Sequence, residues 1–516
     1  MSSGIKAEEM HAIDVNCEYL GVSRLMLMEN AGAETAKAIL RRVNVKGKKV
    51  VIVAHTGNKG GDGFVTARHL STLGAKVLLV LLGDPEKIRT DEARRNWKIV
   101  CEMESSIERI IIKDSSMIKY LAEAAREADI IIDALLGTGI RGTLRSPILE
   151  AVKIINEAGE KGAYIVSIDI PTGINPNTGE ILGAAIKANL TVTHHKPKIG
   201  MLTKEAKNYV GELYVANIGI PPEAELFTGP GDVLIAIKER KPTAHKGEFG
   251  RIVIIGGSKD YTGAPALAAL AALRAGADLT IIIAPSRVAS AIRSYSPNLI
   301  VREYQGEYLN DEGVTLALTE AEKADAIIIG PGLSLRSKVI ESTTKLIEEL
   351  KNAGKKIVID ADAIKACSTK TEVLKELKGV ITPHAGEFRI LTGEKLPPEE
   401  EGWKKRIEIV RREAEKLKIT ILLKAHYDII SNGTRVKVNR TGNPGMTVGG
   451  TGDVLAGLTA AFLAWGDDPF KAAVASSFIN GLAGDIAVQE KGYHILASDL
   501  LEAIPKAFMI VEKYKA

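Results

Sequence analysis

A chain of 516 residues exceeds the about 250 to 300 residues that one hydrophobic core usually supports, so two domains are expected. Its 45% hydrophobic and 26% charged residues are those of a globular protein and argue against disorder, collagen and disulfide scaffolds. A net charge of +4 with no long basic block argues against nucleic acid as a partner, so any anionic ligand must be held by local groups.

The opening MSSGIKAEEMHAID is polar and soon acidic, unlike a signal peptide, and no apolar run reaches the about 18 to 20 residues of a membrane span. Cys17, Cys101 and Cys367 lie far apart in no CxxC arrangement, which speaks against zinc and against a redox pair. A reducing, cytoplasmic setting with no membrane partner is the expectation.

EEMHAIDVNCEYL and LMLMENAGAETAKAIL read as amphipathic helices packed at the side of a sheet. The apolar runs KKVVIVAHTG, AKVLLVLLGD, ADIIIDALLG and AYIVSIDIPTG follow, with helical patterns between them, as in a parallel sheet buried on both faces. Ligands of such sheets bind beyond the carboxyl ends of the strands, and three ends stand out. The first is Thr56-Gly57-Asn58-Lys59-Gly60-Gly61-Asp62-Gly63, where glycines let backbone approach a ligand and the next helix start favours an anion. The second is Asp133-Ala134-Leu135-Leu136-Gly137-Thr138-Gly139-Ile140-Arg141-Gly142-Thr143, and the third is Asp169-Ile170-Pro171-Thr172-Gly173. Any one of them could be a helix cap or tight turn; three on one sheet edge point to a site. Asp84 in GDP reads as a simple turn or as a ribose-binding acid, and His194, His195 and Lys196 as pocket rim.

These residues resemble the NAD(P)H-hydrate epimerase domain, whose signature includes MENAG (Met28 to Gly32 here), GNNGGDG, DALLGTG and a strand ending in DIPTG, over most of residues 1 to 220. The resemblance implies a Rossmann-like fold and contacts to the hydrated nicotinamide nucleotide from Asn58 to Asp62, Gly137 to Thr143 and Asp169. It further implies that Asp169 helps as acid or base at C6 of the ring, and that Asp133 and Thr172 give oxygens to a potassium ion. Lys59 stands where the family has a second Asn, and an ammonium, having donors and no acceptor, cannot ligate a cation. It either swings between Asp133 and Thr172 as a tethered charge in place of the ion, or points to solvent while potassium binds with one ligand fewer.

IGIPPEAELFTGPGDV breaks the pattern, which puts the domain boundary near Glu225 and the domains at 1–224 and 225–516. A second α/β series follows: GRIVIIGGS, ADLTIIIAP, ADAIIIGPG, KKIVIDADA, KGVITPHAGE and ITILLKAHYDII, then long helices of small residues. The strongest motif is Asn443-Pro444-Gly445-Met446-Thr447-Val448-Gly449-Gly450-Thr451-Gly452-Asp453 running into VLAGLTAAFLAWG. Amides at that helix start form an anion hole for a transferring phosphoryl group, and Asp453 in the first turn can take the proton of an attacking hydroxyl. No GxxxxGK[ST] occurs.

GGTGD before such a helix resembles the ribokinase-like superfamily. His245-Lys246-Gly247, Gly256-Gly257-Ser258, Tyr261 to Pro265, Gly330-Pro331-Gly332, Asp360 to Ala363 and Thr382 to Glu387 narrow the resemblance to ADP- or ATP-dependent NAD(P)H-hydrate dehydratases, over roughly 243 to 510. Position by position, this implies substrate contacts from Ala264, Gly332, His384, Ala385, Gly386, Glu387, Phe388, Arg389 and Asp453. Lys424, Ala425, His426, Tyr427 and Asp428 would hold ADP together with Asn443 to Gly452. Asp360 and Asp362 are either structural or near magnesium, and Lys424 either offsets a phosphate or is a solvated strand end.

The expectation is a two-domain α/β enzyme, a homo-oligomer, that repairs hydrated NADH and NADPH. It would epimerise the R and S hydrates and dehydrate the S form with ADP, releasing AMP and phosphate. The alternatives are a small-molecule kinase with an accessory domain, and a noncatalytic nucleotide-sensing first half.

Overall fold

The computed structural model describes residues 4–398 and 402–515 and divides into two compact units between Pro221 and Pro222. The break falls before Glu225 because Pro222–Leu226 forms a short helix leading to Phe227, which bridges to Val438, while the Thr228 amide donates to the Val438 carbonyl. That segment is tied to the second unit.

The first unit is built on β1 (Lys49–His55), β2 (Lys76–Leu82), β3 (Ile107–Ile112), β4 (Ile130–Ala134), β5 (Tyr164–Ile168), β6 (Leu190–His194) and β7 (Glu212–Ala216). All pair in parallel in the order β3-β2-β1-β4-β5-β6-β7. The order reverses between β1 and β4, so their crossovers leave in opposite directions and open a crevice at their carboxyl ends. The loops after β1 and β4 are the two glycine-rich ones. Val51, Val53, Ile131 and Ile165 lie on the face covered by helices Ile118–Arg126 and Ile148–Glu160. Helix Asn58–Thr72 lies against β1, where a Cβ on Gly60 would stand 1.8 Å from the His55 carbonyl oxygen.

The second unit carries β8 (Arg251–Ile255), β9 (Leu279–Pro285), β10 (Ile300–Tyr304), β11 (Ala326–Ile329), β12 (Ile357–Ile359), β13 (Gly379–Ile381), β14 (Thr420–Leu423), β15 (Asp428–Ser431) and β16 (Val436–Asn439). Their order is β10-β9-β8-β11-β12-β13-β14-β15-β16, parallel up to β14 and antiparallel for the last two. Alternate residues serve opposite cores. Ile252, Ile254 and Ile328 pack against helices Gly263–Ala275, Thr451–Trp465, Pro469–Lys491 and Ala497–Glu512. Val253, Ile255, Ile327 and Ile329 face the other layer. The reversal between β8 and β11 again sets a crevice at the carboxyl ends, where the Gly257 amide donates to the Pro331 carbonyl.

Both halves are therefore α/β units with helices on both faces of a largely parallel sheet. The run ITILLKAHYDII is two antiparallel strands turning at 424–427 rather than one. No helix of the described residues is long and apolar enough to cross a membrane. The thiols of Cys17 and Cys367 are buried, and burial pushes each up to about 12.

Candidate functional site

In the first unit a cavity of about 810 Å³ opens over the carboxyl ends of β1 and β4. Asn58, Lys59, Asp62, the whole loop Gly137 to Thr143 and Asp169 line it, as do His194 and the exposed Arg89, Arg141 and Arg145. Gly60 and Gly61 do not. Gly60 is pressed on the β1 backbone and a Cβ on Gly61 would meet Met28, so these glycines let the helix seat closely. Asp84 caps the turn Pro85–Lys87 by accepting from the Glu86 amide, and His195 and Lys196 stay outside the cavity lining.

Asp169 follows β5 with φ 61°, and its carboxylate accepts from the His194 amide at 3.1 Å and from the Lys198 ammonium. Burial works to raise the Asp169 carboxyl, but Lys198 and His194 overcome it and hold it at about 2. Asp169 therefore stays ionised and is a weak base. Burial, with the Asp169 charge adding to it against Lys198, pushes the carboxyl of Asp14 up to about 7. Asp62 is raised well above the usual range, first by burial and then by Asp169 and Asp14. Both line the cavity beside Asp169, so one fixed anion and two proton-holding carboxyls share a wall. Sequence reasoning missed Asp14 and Lys198. Asp14 carries a legible signal, since a carboxylate sits in the buried stripe Met10, Ile13, Cys17 of helix Ala7–Tyr19.

Lys59, 5% exposed, points inward. Its Nζ donates to Asp133 Oδ2 at 2.9 Å, the Ile170 carbonyl at 2.8 Å, Thr172 Oγ1 at 3.1 Å and the Leu136 carbonyl at 3.2 Å. Asp133 and Thr172 have no exposed surface. Of the two orientations open to Lys59, the structure has the one between Asp133 and Thr172.

In the second unit, helix Thr451–Trp465 begins at Gly450, whose φ of 99° turns the chain so that the amides of the first turn face the crevice. Asp453 stands in that turn. Burial, with Asp360, Asp362 and Glu387 adding to it against Lys424, pushes its carboxyl up to about 7. Lys424 Nζ bonds Asp360 at 2.9 Å and lies beside the first turn of that helix, 3.2 Å from where a Cβ on Gly452 would stand. Asp360 also accepts from Thr382 at 2.7 Å, whereas Asp362 caps the Ser334 amide and pairs with Lys365.

The β13 end supplies His384, whose Nδ1 accepts from the Gly386 and Glu387 amides while Glu387 accepts from the His384 amide. This capping box fixes the start of helix Ala385–Thr392. His384, Ala385, Gly386 and Arg389 are exposed, but Phe388 is fully buried in the core and its side chain cannot meet a substrate. Gly332 abuts Tyr261, which brings the loop after β11 against the turn before helix Gly263–Ala275, whose second residue is Ala264. Asp428 is raised by burial, and it is occupied internally, accepting from the Ala425 amide, Ser477 and Asn439. In the same turn Tyr427 stacks on Trp403 at 5.5 Å and His426 meets Tyr427 edge-on. Asn443 is held by Asp485 and caps the turn Pro444–Met446, and Met446 packs against Gly484. Gly445 is buried in that turn against Val488, and Thr451 and Gly452 form the start of helix Thr451–Trp465, where the Thr451 hydroxyl donates to the Met446 and Val448 carbonyls.

Residues 24–200 match the family of YjeF-related protein N-termini, and residues 252–506 match the NAD(P)H-hydrate dehydratase family. A bifunctional NAD(P)H-hydrate repair enzyme Nnr from Pyrobaculum aerophilum is 44% identical, covering 99% of this chain and 98% of the relative. Its counterpart from Methanothermobacter thermautotrophicus is also 44% identical, covering 97% and 94%. The Moorella thermoacetica enzyme of the same name is 33% identical, covering 99% and 97%. Among solved structures, a ribokinase-like superfamily protein from Enterococcus faecalis is 30% identical with a TM-score of 0.48, covering 56% of this chain and 96% of that one. An ADP/ATP-dependent NAD(P)H-hydrate dehydratase from Bacillus subtilis is 27% identical with a TM-score of 0.46, covering 56% and 99%.

Proposed function

The chain belongs to the family of bifunctional NAD(P)H-hydrate repair enzymes, and we propose that its first unit interconverts the R and S hydrates of NADH and NADPH while its second dehydrates the S form with ADP. The observation that carries the reading is the pairing, at each crevice, of a glycine-rich anion-binding loop with a buried carboxyl tuned for proton or charge work.

The hydrate carries a hydroxyl at C6 of the nicotinamide ring, beside N1. When hydroxide leaves C6 under the push of the N1 lone pair, the ring becomes a cation, and water adding to the opposite face gives the other epimer. Asp169, held ionised, faces that cation, and the raised carboxyls of Asp14 and Asp62 give the departing hydroxide its proton and recover one from the entering water. Arg89, Arg141 and Arg145 with the 137–143 loop take the phosphates of the substrate.

In the second unit the C6 hydroxyl attacks the β-phosphorus of ADP. The new O–P bond forms as the bond to AMP breaks, and the hydroxyl proton passes to Asp453. Amides of Gly450 to Asp453 hold the charge that develops, supported by Lys424. Phosphate is a far better leaving group than hydroxide, so its departure with the C5 proton restores the C5–C6 double bond. His384 and Arg389, with Ala264 and Gly332, border the substrate, and Lys424 to Asp428 with the 443–452 loop border the nucleotide. Among the described residues no group of three or more His, Cys, Asp or Glu side chains could hold a metal ion, and Asp360 is already taken by Lys424 and Thr382. Such a site fits a magnesium ion that keeps its waters and rides on the nucleotide phosphates, whose charge it would neutralise.

Incubation with both hydrate epimers and either ADP or ADP-free ATP, followed by chromatography and the absorbance of reduced nicotinamide, tests the reading. It expects both epimers to be consumed, with AMP and phosphate released and ADP the better donor. A persisting phosphorylated product would make the second unit a kinase. Equal or better turnover with ATP would overturn the donor preference, which rests on kinship with the fused enzymes.

A further inference from the structure

The cage around Lys59 is made wholly of oxygen lone pairs. The Thr172 hydroxyl takes the Leu136 amide proton at 3.0 Å and gives its own proton to Asp133 Oδ1 at 2.6 Å, so a lone pair is left for Lys59. Asp133 also accepts from the Leu135 amide, Ser167 and the Thr172 amide, and the other two cage atoms are backbone carbonyls. A neutral amine would turn its own lone pair on an oxygen; an ammonium satisfies the cage. Burial pulls Lys59 below its ordinary value and the Asp133 charge opposes this.

A carboxylate, a hydroxyl and two carbonyls, all hard oxygens bearing one net negative charge, are the donor set of a monovalent cation. Its centre already holds a cation joined to the chain. A potassium ion here would face the ammonium among fully buried groups, where solvent does not screen the two charges, so the residues present do not fit the ion implied by the resemblance. The cage spans the end of β4 and the turn after β5, and Ile170, whose carbonyl it uses, follows Asp169 directly. Filling it fixes the loop that aims the Asp169 carboxylate.

We propose that the Lys59 ammonium is a tethered substitute for a monovalent cation, which frees the first unit from potassium, and that Lys59→Asn turns the same cage into a potassium site. Lys59 is then a positioning residue for Asp169. The inference rests on the epimerase reading of this unit, so its test carries a second readout independent of activity.

The full-length parent, Lys59→Asn and Lys59→Met are assayed for epimer exchange and for thermal unfolding of the first unit, in potassium chloride and in tetramethylammonium chloride, whose cation is too bulky for the cage. The parent should exchange epimers at the same rate and unfold at the same temperature in both salts. Potassium at about ten times its dissociation constant should raise Lys59→Asn activity about tenfold and its Tm by about 3 to 6 °C. If Lys59→Asn loses its cooperative transition in tetramethylammonium, the transition should return in potassium. Lys59→Met, with no oxygen to offer, should be impaired in both salts and answer to neither. Strong activation of the parent by potassium would overturn the proposal, as would a Lys59→Asn protein indifferent to potassium in both readouts or a Lys59→Met protein that responds equally. Potassium-dependent unfolding confined to Lys59→Asn, with no epimer exchange in any sample, would support the cage and discard the epimerase reading.

Discussion

At about 7, the Asp453 carboxyl is half ionised near neutral pH, the condition in which a general base combines availability with strength. Only the ionised form accepts a proton, so kcat/KM for dehydration should rise with pH up to about 7 and level off above it. Asp453→Asn should lose that limb and about 10² to 10⁴ in rate while epimer exchange persists. The same shift has a stability sign. Folding favours the protonated form, so the second unit loses stability as pH climbs from the ordinary 3.8 to about 7 and carries the whole cost above that. Asn cannot ionise, so Asp453→Asn should unfold at a higher temperature than the parent at pH 8, by at most about 4 kcal/mol, with the gap closing in acid. Equal thermal shifts in acid and base would contradict the buried-charge account. In the first unit, Lys198→Met leaves Asp169 buried without its cation; such a loss costs about 3 to 5 kcal/mol, seen as a lower Tm, and should abolish epimer exchange. Unchanged exchange would remove the Asp169–Lys198 pair from the chemistry. Asp133, Asp169 and Thr172 stood out in the sequence as polar groups at or shortly beyond the ends of buried strands, and Asp453 as a carboxylate at a glycine-rich helix start. Lys198 did not, because a distant segment brings it to the cavity; Asp14 showed only as a carboxylate in a buried helical stripe, with nothing local to tie it to the strand ends. The resemblance carried Phe388 into the substrate set by its position in a motif, although its side chain turns into the core.

Two glycines set how closely helices approach their neighbours, and through that where the anion-binding turns stand. A Cβ on Gly457, in helix Thr451–Trp465, would lie 2.1 Å from the Ala268 carbonyl oxygen of helix Gly263–Ala275, a backbone atom that cannot step aside. Gly457→Ala should therefore shift the helix that carries Asp453, lowering the second unit's Tm and slowing dehydration out of proportion to the single methyl added; a variant with parent Tm and rate would show that the contact relaxes freely. A Cβ on Gly137, by contrast, would meet only Lys59 side-chain carbons at 3.5 Å or more, ordinary contact, so Gly137→Ala should fold like the parent and any loss in exchange would report on the cavity. Most central strands announced themselves as unbroken apolar runs, though the threonine-interrupted β6 did not, and neither did β3, β7, β10 and β16. Of these, β3, β7 and β10 are edge strands with half-exposed, polar-interrupted patterns, and β16 closes the antiparallel edge with two residues only partly buried. Their pairing partners, rather than their own apolar content, make them strands.

Under the proposed reading, joining the two activities in one chain matters because a hydrate pool is a mixture and the second unit would take one epimer. With both units active, R is drawn into S as S is removed, so a single nucleotide-driven exit empties the pool. The two functions rest on separate sheets with separate cores, so damage to one should leave the other's chemistry intact. Asp169→Asn should then consume the S hydrate at the parent's initial rate and stop when it is gone, with the R form left to the slow uncatalysed exchange. Adding Asp453→Asn protein, which retains an active first unit, should restart consumption of R without any recovery in the initial rate for S. Following both epimers by chromatography separates the outcomes. A smooth fall of R and S together in Asp169→Asn would mean that the second unit accepts either epimer or that Asp169 is dispensable, and a stalled mixture that Asp453→Asn fails to rescue would mean that the first unit works only beside an intact second one.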